Sequence, residues 1–366
     1  MSVAKTSATE LAPLLRDGAA AARAAHLEYS SLSQPGYTRR RSGRSFAYFD
    51  AANRRLRDRA LLERIASLAI PPAWRKVWIS ASPHSHIQAT GQDARGRKQY
   101  RYHPRFRALR EAAKFDHIRR FGERLPALRA RVRRDLARPR PNKRKLAALV
   151  VELMQRTCVR VGNESYAAEN GSYGLTTLRN RHAQIHGATL RLKFRGKGGK
   201  RHDIAIDDAQ LARIVRRCRD LPGQHLFQYA GDDGRYHPLS SSDINEYLRE
   251  CTGENFSAKD FRTWNATVLA VRALTRSEPC TTARAAKRTL KLALEGVASE
   301  LGNTVAICRK SYVHPSVIGQ FTAGELQRRV QRAERSMRRH PVRGLRVPEA
   351  IALHWLRALP KRRALE

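Results

Sequence analysis

Hydrophobic and polar positions alternate at Phe46, Tyr48 and Phe49, behind the basic run Arg39, Arg40, Arg41 and Arg44, which predicts a basic loop entering a strand. Leu61, Leu62, Ile65, Leu68 and Ala69 then recur at the spacing of a short amphipathic helix, and Pro71 with Pro72 stops it. Residues 77–79 and 86–90 predict further strands, and a turn over 91–96 leads into Arg97, Lys98, Gln99, Tyr100, Arg101 and Tyr102. After Pro104 the pattern changes to long basic helical segments, with 106–134 interrupted at Gly122 and Pro126. A domain boundary is therefore expected near residue 104. The segments so far divide into a leader over 1–27, low in information and expected to be mobile, and an α+β amino-terminal domain over 28–104.

Residues 105–366 read as a larger, mostly helical domain with a basic helical tail. The stretch at 138–145 predicts a proline-stiffened basic connector. It leads into a helix with Leu146, Leu149, Val150, Leu153, Met154 and Thr157 on one face, which Gly162 and Asn163 are suited to stop. Leu190, Leu192 and Phe194 alternate with Arg191, Lys193 and Arg195, and Ile204 and Ile206 alternate with Asp203 and Ala205. The two strands flank Gly196, Lys197, Gly198 and Gly199, a β-hairpin with a lysine at its tip. Ser257 and Asp260 have the spacing of a capping box before a helix that turns Phe261, Trp264, Val268 and Leu269 inward. A further helix carries Leu290, Leu294, Val297 and Leu301, and Gly302 ends it.

Charge changes the picture. Among 366 residues, 72 Lys and Arg stand against 32 Asp and Glu, a formal +40, while 41% hydrophobic residues predict a globular chain with a substantial core. So large a charge calls for a polyanion, and in a cytoplasm that means nucleic acid. Because the charge is spread along the chain, a membrane-surface partner fits less well, and no apolar run is long enough to span a bilayer. Cys158, Cys218, Cys251, Cys280 and Cys308 are widely spaced and odd in number, which suits neither a disulfide framework nor a zinc ribbon. The Ala-rich start from Ala19 to Ala25 is broken by Arg23 and preceded by Arg16 and Asp17, unlike a secretory signal. A cytoplasmic, nucleoid-associated protein is the expectation.

The glycines around Lys197 do not form a Walker A or dinucleotide fingerprint. The pairs Asp207, Asp208 and Asp232, Asp233 read as solvated loop acids, and no histidine pattern has metal-ligand spacing. Neither a nucleotide cofactor nor a metal is expected. A phosphodiester can be cleaved without metal by a nucleophile, donors to the non-bridging oxygens and an acid for the departing oxygen. Arginine suits the donors, lysine the acid, and a tyrosine surrounded by positive charge the nucleophile. Tyr312 follows Arg309, Lys310 and Ser311, and His314 is held extended by Pro315. On composition alone, a phosphate-contacting or core tyrosine is the better reading of Tyr312.

Four stretches carry more than composition does. CVRVGNESY at 158–166, FRGKGGK at 194–200, SAKDFRTW at 257–264 and the segment from Leu301, Gly302 and Asn303 to KSYVHP at 310–315 resemble, in order and rough spacing, the catalytic boxes of viral-type and bacterial type IB DNA topoisomerases. ATGQDARGRKQYRYHP at 89–104 resembles the end of that family's amino-terminal domain. The resemblance implies an α+β domain and a mostly α-helical catalytic domain of the tyrosine recombinase and type IB topoisomerase class, acting as a monomeric clamp around double-stranded DNA. It implies that Tyr312 attacks the scissile phosphate to form a 3′-phosphotyrosyl link, without ATP or metal. Arg160 and Arg262 would hold the non-bridging oxygens, and Lys197 would protonate the departing 5′-oxygen. Asn303 falls where many members carry a histidine; an amide donates a hydrogen bond but brings no charge.

Residue-level alternatives stand beside these roles. Arg160 could be a cation at a helix end, Arg262 a solvated first-turn residue, and Lys197 a polar hairpin tip. Asn303 could be the N-cap of a helix beginning at Thr304. Nine residues of straight helix turn about 900° and rise about 13 Å, so Asn303 and Tyr312 can share one phosphate only if the segment bends or breaks. The resemblance places Lys98, Gln99, Tyr100, Tyr102 and Tyr166 against DNA, although alternation also permits Tyr100 and Tyr102 as a core pair. Lys259 joins the DNA contacts. It stands three residues before Arg262, where tyrosine recombinases typically carry a histidine, which favours the topoisomerase. A non-catalytic DNA-compacting protein would explain the charge but leave the ordered motifs accidental.

Overall fold

Strand alternation in the amino-terminal part resolves into a single antiparallel sheet. The computed structural model describes Leu14, residues 17–139 and residues 141–360. These divide into two compact units, one reaching His117 and including Pro360, the other spanning Ile118–Leu359.

In the first unit, helix α1 (Gly18–Ala24) starts at Asp17, whose carboxylate accepts the Ala19 and Ala20 N–H groups at 2.9 Å. Ala21, Ala22, Ala25 and Leu27 are buried with Phe106 and Leu109. Gly18–Ala24 of the leader is thus a packed helix where a mobile segment was expected, because its alanines and Leu27 are buried against Phe106 and Leu109. Most of the rest of that leader, residues 1–13, 15 and 16, lies outside the described residues. Strands β1 (Gly36–Ser42) and β2 (Ser45–Phe49), helix α2 (Arg59–Ser67) and strands β3 (Arg75–Ser80), β4 (Ile87–Gln92) and β5 (Lys98–Tyr102) follow. The sheet order is β2-β1-β3-β4-β5, and Ile65 of α2 packs with Val77, Ile79 and Ala89. Arg39, Arg40 and Arg41, expected in a loop, lie within β1, paired to β2 from Thr38↔Phe49 to Ser42↔Ser45. Aromatic rings on β2 make this possible: the Arg39 guanidinium lies 4.1 Å from the Phe46 centroid and that of Arg40 lies 4.7 Å from Phe49.

Helix α3 (Pro104–Leu136) is continuous, and the division between the units at residue 117 falls inside it, not near 104. Gly122 and Pro126, expected to interrupt it, are carried within it. A Cβ on Gly122 would stand 2.4 Å from the Trp264 ring, so glycine serves close packing there. A mid-helix proline costs about 3 kcal/mol, and burial of Phe121, Leu125, Leu128 and Val132 around it offsets that.

The second unit continues with α4 (Lys143–Thr157), α5 (Glu164–Asn170), a three-stranded sheet of β6 (Ala183–His186), β7 (Thr189–Arg195) and β8 (Arg201–Asp207) in that order, and α6 (Ala209–Arg219). A short ribbon of β9 (Gln228–Ala230) and β10 (Tyr236–Pro238) precedes helices α7 (Ser241–Thr252), α8 (Ala258–Thr275), α9 (Ala283–Leu301), α10 (Val305–Ser311), α11 (Pro315–Thr322), α12 (Leu326–Arg339) and α13 (Val347–Arg357). Helix α4 is buried on nearly every side, and Phe121 meets Phe256 and Phe261 edge-on at 5.2 and 4.9 Å. A mixed α and β unit followed by a mostly helical one is the expected fold class. No described helix is long and apolar enough to cross a membrane.

Candidate active site

The site is built where helices end. Helix α4 stops at Cys158, which adopts a left-handed conformation (φ 55°). Gly162 and Asn163, expected to stop it, lie beyond, and Asn163 instead caps α5 by accepting the Tyr166 N–H at 2.8 Å. Between the two helices the chain is held by backbone bonds: Leu175 N–H donates to the Arg160 carbonyl at 2.9 Å and Thr176 N–H to that of Val161 at 2.6 Å. A Cβ on Gly174 would stand 2.6 Å from Gly162 Cα, so glycine allows the crossing that fixes Arg160.

The capping box of Ser257 and Asp260 starts α8. Two residues on, Arg262 is only 5% exposed, which removes the solvated alternative. It donates to the Cys158 carbonyl and, at 2.7 Å, to that of Leu301, tying the ends of α4 and α9 together. Helix α9 ends at Gly302 (φ 62°), and Thr304 caps α10 by accepting the Ile307 N–H at 3.3 Å. The segment therefore breaks between Asn303 and Tyr312 as contact with one phosphate requires, and Asn303 is not the cap. Its Oδ1 accepts from Arg160, and its Nδ2 is buried beside Tyr312 and Cys308. Tyr312 closes α10, with its ring centroid 5.2 Å from the Arg262 guanidinium carbon. Thr267, on α8, shares its hydroxyl proton between the carbonyls of Thr263 (2.9 Å) and Tyr312 (3.3 Å) and accepts the His314 N–H at 3.2 Å.

Electrostatics at Tyr312 favour a nucleophile. Burial pushes its phenol up, but the Arg262 charge and hydrogen bonding, with Arg160 and the Asn303 amide, bring it below the ordinary tyrosine value. Burial and the Arg262 charge likewise lower Arg160. Burial raises the Cys158 and Cys308 thiols nearby, which keeps them unreactive.

Arg160, Arg262, Asn303 and Tyr312 converge. Lys197 stands on the β7–β8 loop, where Gly198 and Gly199 take φ of 75° and 79°, and its Nζ faces the Tyr166 ring at 5.5 Å. Lys259 is exposed on the first turn of α8. In the first unit, Lys98, Tyr100 and Tyr102 share the open face of β5; the tyrosine rings stack at 5.8 Å and each is 41% exposed, so they are not a core pair. Gln99 points to the opposite face and donates to Asp93 at 2.9 Å, which separates it from that group. Asp208 caps α6 and pairs with Arg156, and Asp207 accepts the Thr189 hydroxyl. Among the described residues no group of three His, Cys, Asp or Glu is placed to hold a metal. Sequence reasoning missed Thr267, which no local pattern marks.

Comparison with known proteins places this arrangement. The family model for the eukaryotic DNA topoisomerase I catalytic core matches residues 103–337, and that for the bacterial DNA topoisomerase IB amino-terminal domain matches residues 45–93. DNA topoisomerase 1B of Acanthamoeba polyphaga mimivirus is 35% identical over 285 residues, covering 76% of this chain and 85% of the relative. DNA topoisomerase 1B of vaccinia virus (strain Copenhagen) is 22% identical over 62% of this chain and 70% of its own length. DNA topoisomerase 1 of Mycosarcoma maydis is 26% identical over 44% of this chain but only 18% of its own length. The chain belongs to the type IB DNA topoisomerases, a family of isomerases.

Proposed function

We propose that this protein relaxes supercoiled double-stranded DNA by cutting and resealing one strand through Tyr312. The observation that carries the reading is the convergence of Arg160, Arg262 and the Asn303 amide around a tyrosine of lowered pKa. Tyr312 first gives its proton to water, and its phenolate Oη then attacks phosphorus as the P–O5′ bond breaks. Arg160, Arg262 and Asn303 donate to the non-bridging oxygens, and Lys197 gives a proton to the departing 5′-oxygen. The 3′-phosphotyrosyl link conserves the bond energy, so resealing is the reverse reaction and needs neither ATP nor metal. Between the two steps the duplex rotates, which relaxes supercoils of either sign. Lys98, Tyr100, Tyr102, Tyr166 and Lys259 contact the duplex, around which the chain closes as a monomer in the nucleoid.

The test is relaxation of positively and negatively supercoiled plasmid in EDTA without ATP. Wild type is expected to relax both, and Tyr312→Phe neither. A plasmid left supercoiled by wild type, or relaxed equally by the phenylalanine variant, refutes the mechanism.

A further inference from the structure

We propose that His202 and Lys200 are positioning residues that latch the loop of Lys197 onto the turn that carries Asn303. This rests on the reading of Lys197 as the acid for the 5′-oxygen. His202 on β8 pairs with Phe194 on β7, and its ring stacks on that phenyl at 4.8 Å with a 16° tilt. A Cβ on Gly196 would stand 2.6 Å from His202 Nε2, and one on Gly302 would stand 3.4 Å from Cε1. The imidazole thus occupies a slot between two glycine backbones. One glycine immediately precedes Lys197 and the other immediately precedes Asn303. Any side chain at Gly196 would enter the volume of the ring.

Lys200 adds a second tie. Its Nζ donates to the Ser299 carbonyl at 3.1 Å, in the last turn of α9, where a cation also meets the negative end of the helix. Its Cδ would lie 3.4 Å from a Cβ on Gly302, so its stem runs over the same turn. The loop between these ties is a single turn closed by its own backbone, with Gly196 N–H donating to the Lys200 carbonyl at 2.7 Å and Gly199 N–H to that of Gly196 at 3.0 Å, so it moves as a unit on the end of the hairpin. Without an outside hold the turn, and Lys197 with it, would swing with the hairpin end, whereas an acid works only within about 3 Å of the atom it protonates. Asn303 holds the phosphate and Lys197 serves the oxygen leaving it, so the spacing of Gly196 and Gly302 sets the reach of the acid. Burial, with Lys200, Arg160 and Arg262 close by, keeps His202 neutral, which suits a spacer that adds no repulsion.

The experiment compares single-turnover cleavage of two DNAs that differ only in the leaving atom, a 5′-oxygen or a 5′-bridging sulfur. A thiol has a pKa of about 8.5 and departs as thiolate without an acid. On the oxygen substrate, Lys197→Ala is expected to slow cleavage by about 100- to 10,000-fold, and His202→Ala and Lys200→Met by about 10- to 100-fold. Sulfur should restore all three to about the wild-type rate, while Asn303→Ala stays slow on both because it acts on the phosphate. DNA affinity should not change in His202→Ala or Lys200→Met. If His202→Ala lowers the melting temperature, Lys200→Met decides, since its side chain is exposed. An undiminished oxygen rate in the deciding variant, or a deficit that sulfur does not relieve although it relieves Lys197→Ala, overturns the latch and leaves the acid standing. Failure of sulfur to rescue Lys197→Ala overturns the acid, and the latch with it.

Discussion

Tyr312, the proposed nucleophile, owes its lowered pKa to what surrounds it. Burial alone would hold its proton, and two guanidinium groups and an amide reverse that. The phenol is therefore expected to titrate below the ordinary value of 10, as read from the ultraviolet difference between wild type and Tyr312→Phe. Arg160→Gln removes one cation and should raise the midpoint. Because the attacking form is the deprotonated one, the rising limb of the cleavage pH profile should move to higher pH in that variant. An unmoved limb would mean that Arg160 touches only the phosphate. The residues with chemical character, Tyr312, Arg160 and Arg262, were legible in the sequence. Their partners were not: Arg262 is fixed by the carbonyls of Cys158 and Leu301, and backbone atoms leave no signature in residue type. Thr267 and His202 contact segments far along the chain, which no local spacing discloses.

At the scale of elements, alternation and helical periodicity found the strands and the amphipathic helices, and the hairpin with Lys197 at its tip emerged as read. The misreadings fall on arginine-rich and glycine- or proline-bearing stretches, whose state depends on distant partners. Three arginines form a strand because Phe46 and Phe49 lie opposite, and the basic connector is gathered by one buried acid, Asp135, which pairs with Arg131, Arg138 and Arg144. Glu349 plays a similar part for the tail. It is 5% exposed and receives both Nη groups of Arg129 at 2.7 Å, clasping α13 to α3. Glu349→Gln leaves the arginine without its counter-charge and is expected to cost about 3–5 kcal/mol in denaturant unfolding. Burial raises this carboxyl, but Arg129 outweighs it and the pKa falls below the usual glutamate value. Its contribution is complete above the ordinary glutamate range and lost as pH falls through the lowered value. The Gln variant should therefore lose less stability than wild type on acidification, and equal losses would show that the pair contributes nothing.

For the whole molecule, the formal +40 and the chemistry are separate assignments. Cleavage is proposed to depend on a handful of side chains at helix ends, whereas affinity should arise from many exposed cations that release counterions when they meet phosphates. Tyr312→Phe should therefore bind duplex DNA as tightly as wild type and with the same steep dependence on salt. Lys98 tests the other side of that division. It is exposed beside Tyr100, with Nζ 5.8 Å from the ring centroid, and belongs to the first unit, whereas the site is built from the second. If it holds one phosphate, Lys98→Ala should lower the slope of log affinity against log salt by about 0.9. The loss should be similar for DNAs of different sequence, since a phosphate contact reads no base. At saturating protein, the rate of single-strand cleavage should not change. A slower rate under saturation would move Lys98 from binding into catalysis, and an unchanged salt slope would remove it from the DNA contacts altogether.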